Sequence, residues 1–192
     1  MTNDTARLYS WISARLLTVW YPGNLYKIKH LLPLRYFQIL RSYLYGRTYN
    51  TKFNSATSSP HPIQSGVPQG SILGPLLYTL YTSDLPLSKH TITSTFADDT
   101  AIVALDSDPT SVSGFLQEHL YRIALWLHKW KIQVNRSKST HITFTKRNGC
   151  CPSVHMNQQP IPQHTSVKYL GLHLDSKLTW IDHIHSNGNN ST

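Results

Sequence analysis

Ser94-Thr95-Phe96-Ala97-Asp98-Asp99-Thr100-Ala101-Ile102-Val103-Ala104 is the stretch on which the reading of the fold turns. Two adjacent carboxylates interrupt a β-prone, mostly apolar run. Thr91–Phe96 and Ala101–Leu105 read as the arms of a hairpin, with Asp98-Asp99 at its turn. Carboxylates held that close repel, and one tends to keep its proton unless a cation neutralises the pair. A divalent metal is the usual resolution, and hard Mg²⁺ prefers carboxylate oxygens together with substrate phosphates. A simple Asx turn at a hairpin tip is the plainer alternative.

The 192-residue chain carries a formal net charge of +9, a pI near 9.6 and only nine acidic residues, two of which are this pair. A basic surface around a scarce acidic pair suits a polyanionic partner, although charge alone also fits a merely basic protein. Hydrophobic residues make up 40% of the chain, enough for a real core. The two cysteines are the neighbours Cys150 and Cys151. They are unsuited to a loop-closing disulfide and lack zinc-binding spacing, so the chain reads as intracellular and reduced. His183-x-His185 is a weak metal signal whose plainer reading is solvation or packing. The first residues lack a signal-peptide pattern. The most apolar run, Ile72–Tyr81, contains Gly74 and Pro75 and is too short to cross a bilayer.

Outward from the hairpin, the spacing predicts helices over Leu25–Leu32 and Leu34–Tyr45, parted by Pro33 and stopped at Gly46. Thr48–Phe53 is β-prone, and a loop is expected to Pro62. A helix within Gly70–Leu85 carries Leu73, Leu76, Leu77 and Leu80 on one stripe, with Pro75 in its first turn. Asp108-Pro109 opens a long amphipathic helix whose face is Phe115, Leu116, His119, Leu120, Ile123, Leu127 and Trp130. That stripe reads as core rather than as a cofactor site. Strands are expected at His141–Thr145, Val154–Met156 and Val167–Leu174. The pattern implies an α+β fold, an antiparallel sheet backed by helices.

Three further segments complete a set. They are Ser65-Gly66-Val67-Pro68-Gln69-Gly70-Ser71-Ile72-Leu73-Gly74-Pro75, Trp130-Lys131-Ile132-Gln133-Val134-Asn135-Arg136-Ser137-Lys138-Ser139, and Lys168-Tyr169-Leu170-Gly171-Leu172-His173-Leu174-Asp175. In this order and spacing, over Val19–Trp180, the chain resembles the palm of a reverse transcriptase from a non-LTR retrotransposon of the jockey-like group. The segments resemble that family's motifs B, D and E, and Phe96-Ala97-Asp98-Asp99 resembles its motif C. The resemblance implies an RNA-directed DNA polymerase palm, truncated before the fingers and at the thumb. It implies RNA template, DNA primer and dNTP as partners, with no membrane. It also implies Asp98 and Asp99 as ligands of Mg²⁺ (or Mn²⁺), and Lys138 as a catalytic lysine at the leaving pyrophosphate. Pro68, Gln69, Gly70, Phe96 and Ala97 would line the substrate site, and Tyr169, Leu170 and Gly171 would form the primer grip. A surface lysine, a turn-forming glycine and an ordinary strand remain the plain alternatives for Lys138, Gly70 and Tyr169–Gly171.

One motif departs from the pattern. Counting back from Val19-Trp20 puts Trp11 where motif A has its metal-binding aspartate, and Asp4 lies too far upstream to replace it. Metal binding is therefore expected to be weakened. A loss of three powers of ten in rate corresponds to about 4 kcal/mol. The chain is expected to be inactive alone, the alternative being a non-catalytic RNA- or DNA-binding remnant of a mobile element. The expected layout is a degenerate motif A region over residues 1–18 and a palm core over 19–148. Primer-grip strands and the start of a thumb follow over 149–185, then a disordered tail over 186–192.

Overall fold

The computed structural model describes residues 8–17, 25–63, 66–67, 70–145 and 151–188, the first of these segments by its backbone alone. Pro68 and Gln69 lie outside the described residues, as do Val19-Trp20 and Cys150. In chain order the elements are β1 (Leu8–Leu17), α1 (Leu25–Leu31), α2 (Leu34–Leu44), β2 (Thr48–Tyr49), β3 (Lys52–Phe53), β4 (Ala56–Thr57) and β5 (His61–Pro62). Then come α3 (Leu73–Thr82), β6 (Thr91–Phe96), β7 (Asp99–Asp106), α4 (Pro109–Trp130) and β8 (Gln133–Phe144). The last are β9 (His155–Met156), β10 (Gln159–Pro160), β11 (Ser166–Tyr169), β12 (Leu172–Asp175) and α5 (Ile181–Gly188). The architecture is mixed α+β with antiparallel sheets, as expected.

The chain divides into two compact units, and the division does not follow the expected sequential blocks. One unit holds residues up to 17, 85–129 and those from 133 on; the other holds residues 18–84 and 130–132. The first is built on a four-stranded antiparallel sheet of order β6-β7-β1-β8. The segment expected as a degenerate motif A region supplies, over Leu8–Leu17, an inner strand. On β7, Thr100, Ala101, Ile102 and Ala104 are buried in succession, the pattern of a strand covered on both faces. The long helix α4 begins as its sequence requires. Asp108 accepts a hydrogen bond from the Ser111 backbone N–H at 2.8 Å, with Pro109 in the first helical position. It stops where Lys131 takes a left-handed φ of 53°.

Along α4, Val112, Leu116, Leu120, Ile123 and Leu127 are buried on one face. Each such aliphatic side chain contributes about 1.5–3 kcal/mol of transfer free energy. Trp126 joins that face, whereas Trp130, expected on it, is only half-buried. His119, fully buried, sits 2.7 Å from the Thr91 hydroxyl of β6 and 2.8 Å from the Pro86 carbonyl, which ties α4 to the edge of the sheet. At the other edge, Ile142 and Phe144 of β8 cluster with Val167 and Leu174 of the β11–β12 hairpin. Helix α5 corrects the expected tail as far as Gly188; residues 189–192 lie outside the described residues.

In the second unit, α1 and α2 fall where Pro33 and Gly46 place them. Tyr45 N–H closes α2 onto the Arg41 carbonyl at 2.9 Å. The expected strand and loop after α2 are two small ladders, β2 with β5 and β3 with β4. Helix α3 buries Leu77 and Tyr81, four residues apart and so on one face. Among the described residues no helix is long and apolar enough to cross a membrane.

Candidate nucleotidyl-transfer site

Both aspartates were expected in the turn, and the ladder corrects this. Phe96 pairs with Asp99, so the turn is Ala97-Asp98 alone and Asp99 is the first residue of β7. Asp98 is exposed and Asp99 half-buried, while Phe96 stands 63% exposed beside them. Ala97 has φ of 48°, a left-handed conformation at the first turn position, where tight hairpins with a two-residue loop favour glycine. An L-residue in that region costs on the order of 1–2 kcal/mol. Such local strain clusters at functional sites. Ala97→Gly should therefore raise the unfolding free energy by about 0.5–1 kcal/mol after glycine's own entropic cost. A urea titration comparing the two proteins checks this, and a lowered midpoint would contradict it.

The neighbouring strand at this end of the sheet is β1. Its register sets Arg15 opposite Asp99 and Trp11 opposite Val103. The motif count made Trp11 the residue at the metal position. By the ladder, Trp11 lies four places deeper along the strand, about 13 Å from the hairpin end. The residues Leu8–Leu17 include no Asp or Glu at any register. Beyond β1, Arg15 pairs with Asn135 of β8, and Ser13 pairs with Thr140. Arg136–Ser139 is thus an outsized bulge set against the single residue Ala14. The Ser139 hydroxyl donates to the Asn135 carbonyl at 3.0 Å, and the Ser137 hydroxyl to the Asn135 side chain at 2.7 Å. Lys138 stands exposed in this bulge. Ser137 and Ser139 also line a cavity of about 300 Å³ against Met156, Gln159 and Pro160.

The expected primer-grip residues form a hairpin tip of their own. Tyr169 pairs with Leu172 across the two-residue turn Leu170-Gly171, with φ of 47° and 84°. Positive φ at both places is the type I′ requirement, which glycine meets without strain and leucine does not. Tyr169 is buried and Leu170 exposed. The sequence reading missed Asp175, which fixes the chain after this hairpin. Its carboxylate accepts from the backbone N–H of Lys177 (3.0 Å), Thr179 (2.9 Å) and Trp180 (3.0 Å). Burial acts to raise its pKa, but these bonds and that from the Thr179 hydroxyl outweigh it and hold the carboxyl below the ordinary value.

Gly70 belongs to the second unit. Its φ of 76° calls for glycine, and a Cβ there would meet open space, so conformation rather than crowding sets the requirement. Ser71 beside it anchors the start of α3: its hydroxyl accepts from Leu73 N–H at 3.1 Å and from the Tyr43 hydroxyl of α2 at 2.6 Å. The preceding glycine's carbonyl is held by Arg47, whose guanidinium donates to Gly66.

The fold therefore brings Phe96, Ala97, Asp98, Asp99 and Lys138 to one end of one sheet, with Tyr169–Gly171 on a separate hairpin of the same unit. Whether these donors suit a divalent metal is a question of chemistry. Among the described residues no group of three or more His, Cys, Asp or Glu is arranged to hold one. The strand position facing Asp99 carries an arginine. Asp98 and Asp99 supply carboxylate oxygens of the kind hard divalent ions prefer.

Residues 17–174 match the family described as reverse transcriptase (RNA-dependent DNA polymerase). The match begins at the last residue of β1, so nearly all of that strand lies outside it. The chain is 40% identical over 171 residues to a probable RNA-directed DNA polymerase from transposon X-element of Drosophila melanogaster. It is 38% identical over 174 residues to the RNA-directed DNA polymerase from mobile element jockey of the same species, and 37% over 177 residues to that of Drosophila funebris. These alignments cover 86–88% of the chain and 19% of each relative, so the chain spans about a fifth of the length of the relatives it matches. The jockey-like resemblance read from the motifs is borne out. The chain belongs to the reverse transcriptase family.

Proposed function

We propose that this chain is the palm segment of a jockey-like non-LTR reverse transcriptase that has lost nucleotidyl transfer and keeps a surface for RNA and DNA. The observation that carries the reading is the Asp98-Asp99 hairpin lying beside a strand without a single acid. In an active family member the hairpin carboxylates bind metal, the lysine of the Asn135-x-x-Lys138-Ser139 element serves the leaving pyrophosphate, and the Tyr169-Leu170-Gly171 tip supports the primer. Pro68, Gln69, Gly70, Phe96 and Ala97 would line the pocket for template and dNTP. Phosphoryl transfer depends almost wholly on positioning and charge stabilisation, so a pair of carboxylates lacking its third partner should lose several powers of ten in rate, enough to bring extension down to background.

Primer extension on an RNA template with dNTPs and Mg²⁺ or Mn²⁺ should give no product above background. Extension that disappears in Asp98→Ala would overturn the loss of activity. A net charge of +9 supports the retained function, salt-dependent binding of an RNA–DNA hybrid.

A further inference from the structure

Nucleotidyl transfer makes no use of the cavity of about 300 Å³ lined by Ser137 and Ser139 of β8. Val134 completes its β8 side, and Met156 of β9, Pro160 of β10 and the following Ile161 form the facing wall. That wall is fixed before any ligand arrives. The Gln117 side chain of α4 donates to the His155 carbonyl at 2.9 Å and accepts from the His155 backbone N–H at 2.8 Å. Ile161 N–H donates to the Val154 carbonyl at 2.9 Å, and the Pro162 carbonyl accepts from His141 N–H of β8 at 2.8 Å. A site shaped in advance binds with little ordering cost.

The lining decides what such a site can take. Its side chains are all uncharged, so it offers nothing to a phosphate or a carboxylate. Both serine protons are already given away inside the bulge. Ser139, only 6% exposed, donates to the Asn135 carbonyl at 3.0 Å, and Ser137 donates to the Asn135 side-chain oxygen at 2.7 Å. A hydroxyl carries one proton and two lone pairs, so both serines are left as acceptors. Gln159 stays exposed at the rim. Met156 adds a thioether, which packs well against aromatic rings. A volume of about 300 Å³ is the lower end for small-molecule sites and suits one or two fused rings. The geometry points to a binding site for a neutral one- or two-ring aromatic molecule that carries an N–H donor and no strong acceptor, indole being the simplest, with its N–H on the buried Ser139 hydroxyl. A nucleobase is the wrong ligand, because its ring carbonyls and nitrogens would give up water and find no donor inside.

The chain has two methionines, Met1 and Met156, so methyl-labelled methionine gives the full chain one reporter in the cavity wall and one reference. Met156→Leu identifies the reporter's NMR signal. Indole should shift that signal saturably, with a Kd of about 1 mM or tighter for so small a ligand. 1-Methylindole keeps the rings and loses the donor, and should bind about fivefold more weakly. Uracil should leave the signal in place. Ser139→Ala should abolish the preference for indole over its methylated form, a comparison made within one protein and so insensitive to a change in stability. A Met156 signal that does not move at millimolar indole overturns the proposal, as does a shift that never saturates. Equal affinity of the wild type for indole and 1-methylindole also overturns it, because the cavity would then select apolar volume alone. So does binding of uracil, or a Ser139→Ala protein that keeps the preference. None of these outcomes bears on hybrid binding, which is tested by its salt dependence.

Discussion

Lys27→Met should destabilise the unit that contains α1 and α3 by about 2–4 kcal/mol, below the about 3–5 kcal/mol for breaking a fully buried charge pair because only the lysine is buried. Lys27 is only 6% exposed although it lies on a seven-residue helix of a strongly basic chain. Its ammonium donates to the Tyr81 backbone carbonyl in the last turn of α3 and to the Asp84 carboxylate just beyond it. It also lies 4.4 Å from the Trp130 ring centroid and 5.1 Å from that of Tyr81. Each such cation–π contact is worth about 0.5–2 kcal/mol according to its desolvation. A positive charge at a helix C-terminus also complements the macrodipole. Methionine retains the length of the stem and the packing, but deprives a helix-end carbonyl and a carboxylate of their donor.

Asp84 is 45% exposed, so water can recover part of its share, which sets the lower end of the range. Urea unfolding followed by tryptophan fluorescence reads both the midpoint and the environment of Trp130. A shift below about 0.5 kcal/mol, the ordinary size for a surface change, would show that the ammonium is dispensable. A double-mutant cycle with Asp84→Asn should then give a coupling of about 0.5–3 kcal/mol.

That lysine marks the limit of what a linear reading reaches. A basic residue in a short helix reads as solvated, and nothing near it names a partner 57 positions away. Elements whose signals are local were legible: Pro33 and Gly46 delimit α2, Asp108-Pro109 opens α4, and β-prone arms flank Ala97-Asp98. The first eight residues of β8 were not, because Gln133–Thr140 is mostly polar and bulged and so lacks any apolar alternation. The site divides along the same line. Motif wording found the carboxylate pair and Lys138. Counting from Val19-Trp20 nevertheless placed Trp11 against the pair, where the hydrogen-bond ladder sets Arg15. Register is a property of paired strands, and one strand's spacing to a motif downstream does not determine it. Asp175 was invisible for a similar reason, since its role lies in backbone N–H groups that every residue but proline carries.

The stability of the fold should fall steeply between about pH 6.5 and pH 4, and His141 is the group responsible. It sits in β8, fully buried, with backbone bonds to Pro162 at 2.8 Å and His164 at 2.9 Å. Burial disfavours the imidazolium and pushes its pKa from 6.5 down to about 4. In the unfolded chain the ring takes up a proton near pH 6.5, whereas in the folded chain it resists until about pH 4. Between those values the unfolded state binds more protons, so stability rises with pH and is lost as the pH falls. At about 1.36 kcal/mol per pKa unit, the full window is worth about 3 kcal/mol. Above pH 6.5 both states are neutral at this group and its contribution is flat.

The carboxylates whose pKa is lowered act in a different window. Asp108 is held down first by the Ser111 backbone N–H, and Asp175 by the N–H groups around it, so both lose their contribution only as the pH falls below 3.8. His141→Leu should accordingly flatten the slope between pH 4 and 6.5 while leaving the more acidic transition in place. Urea unfolding at a series of pH values, wild type against His141→Leu, measures this with the other ten of the eleven histidines held constant. An unchanged slope in the variant would assign the acid sensitivity to those residues instead.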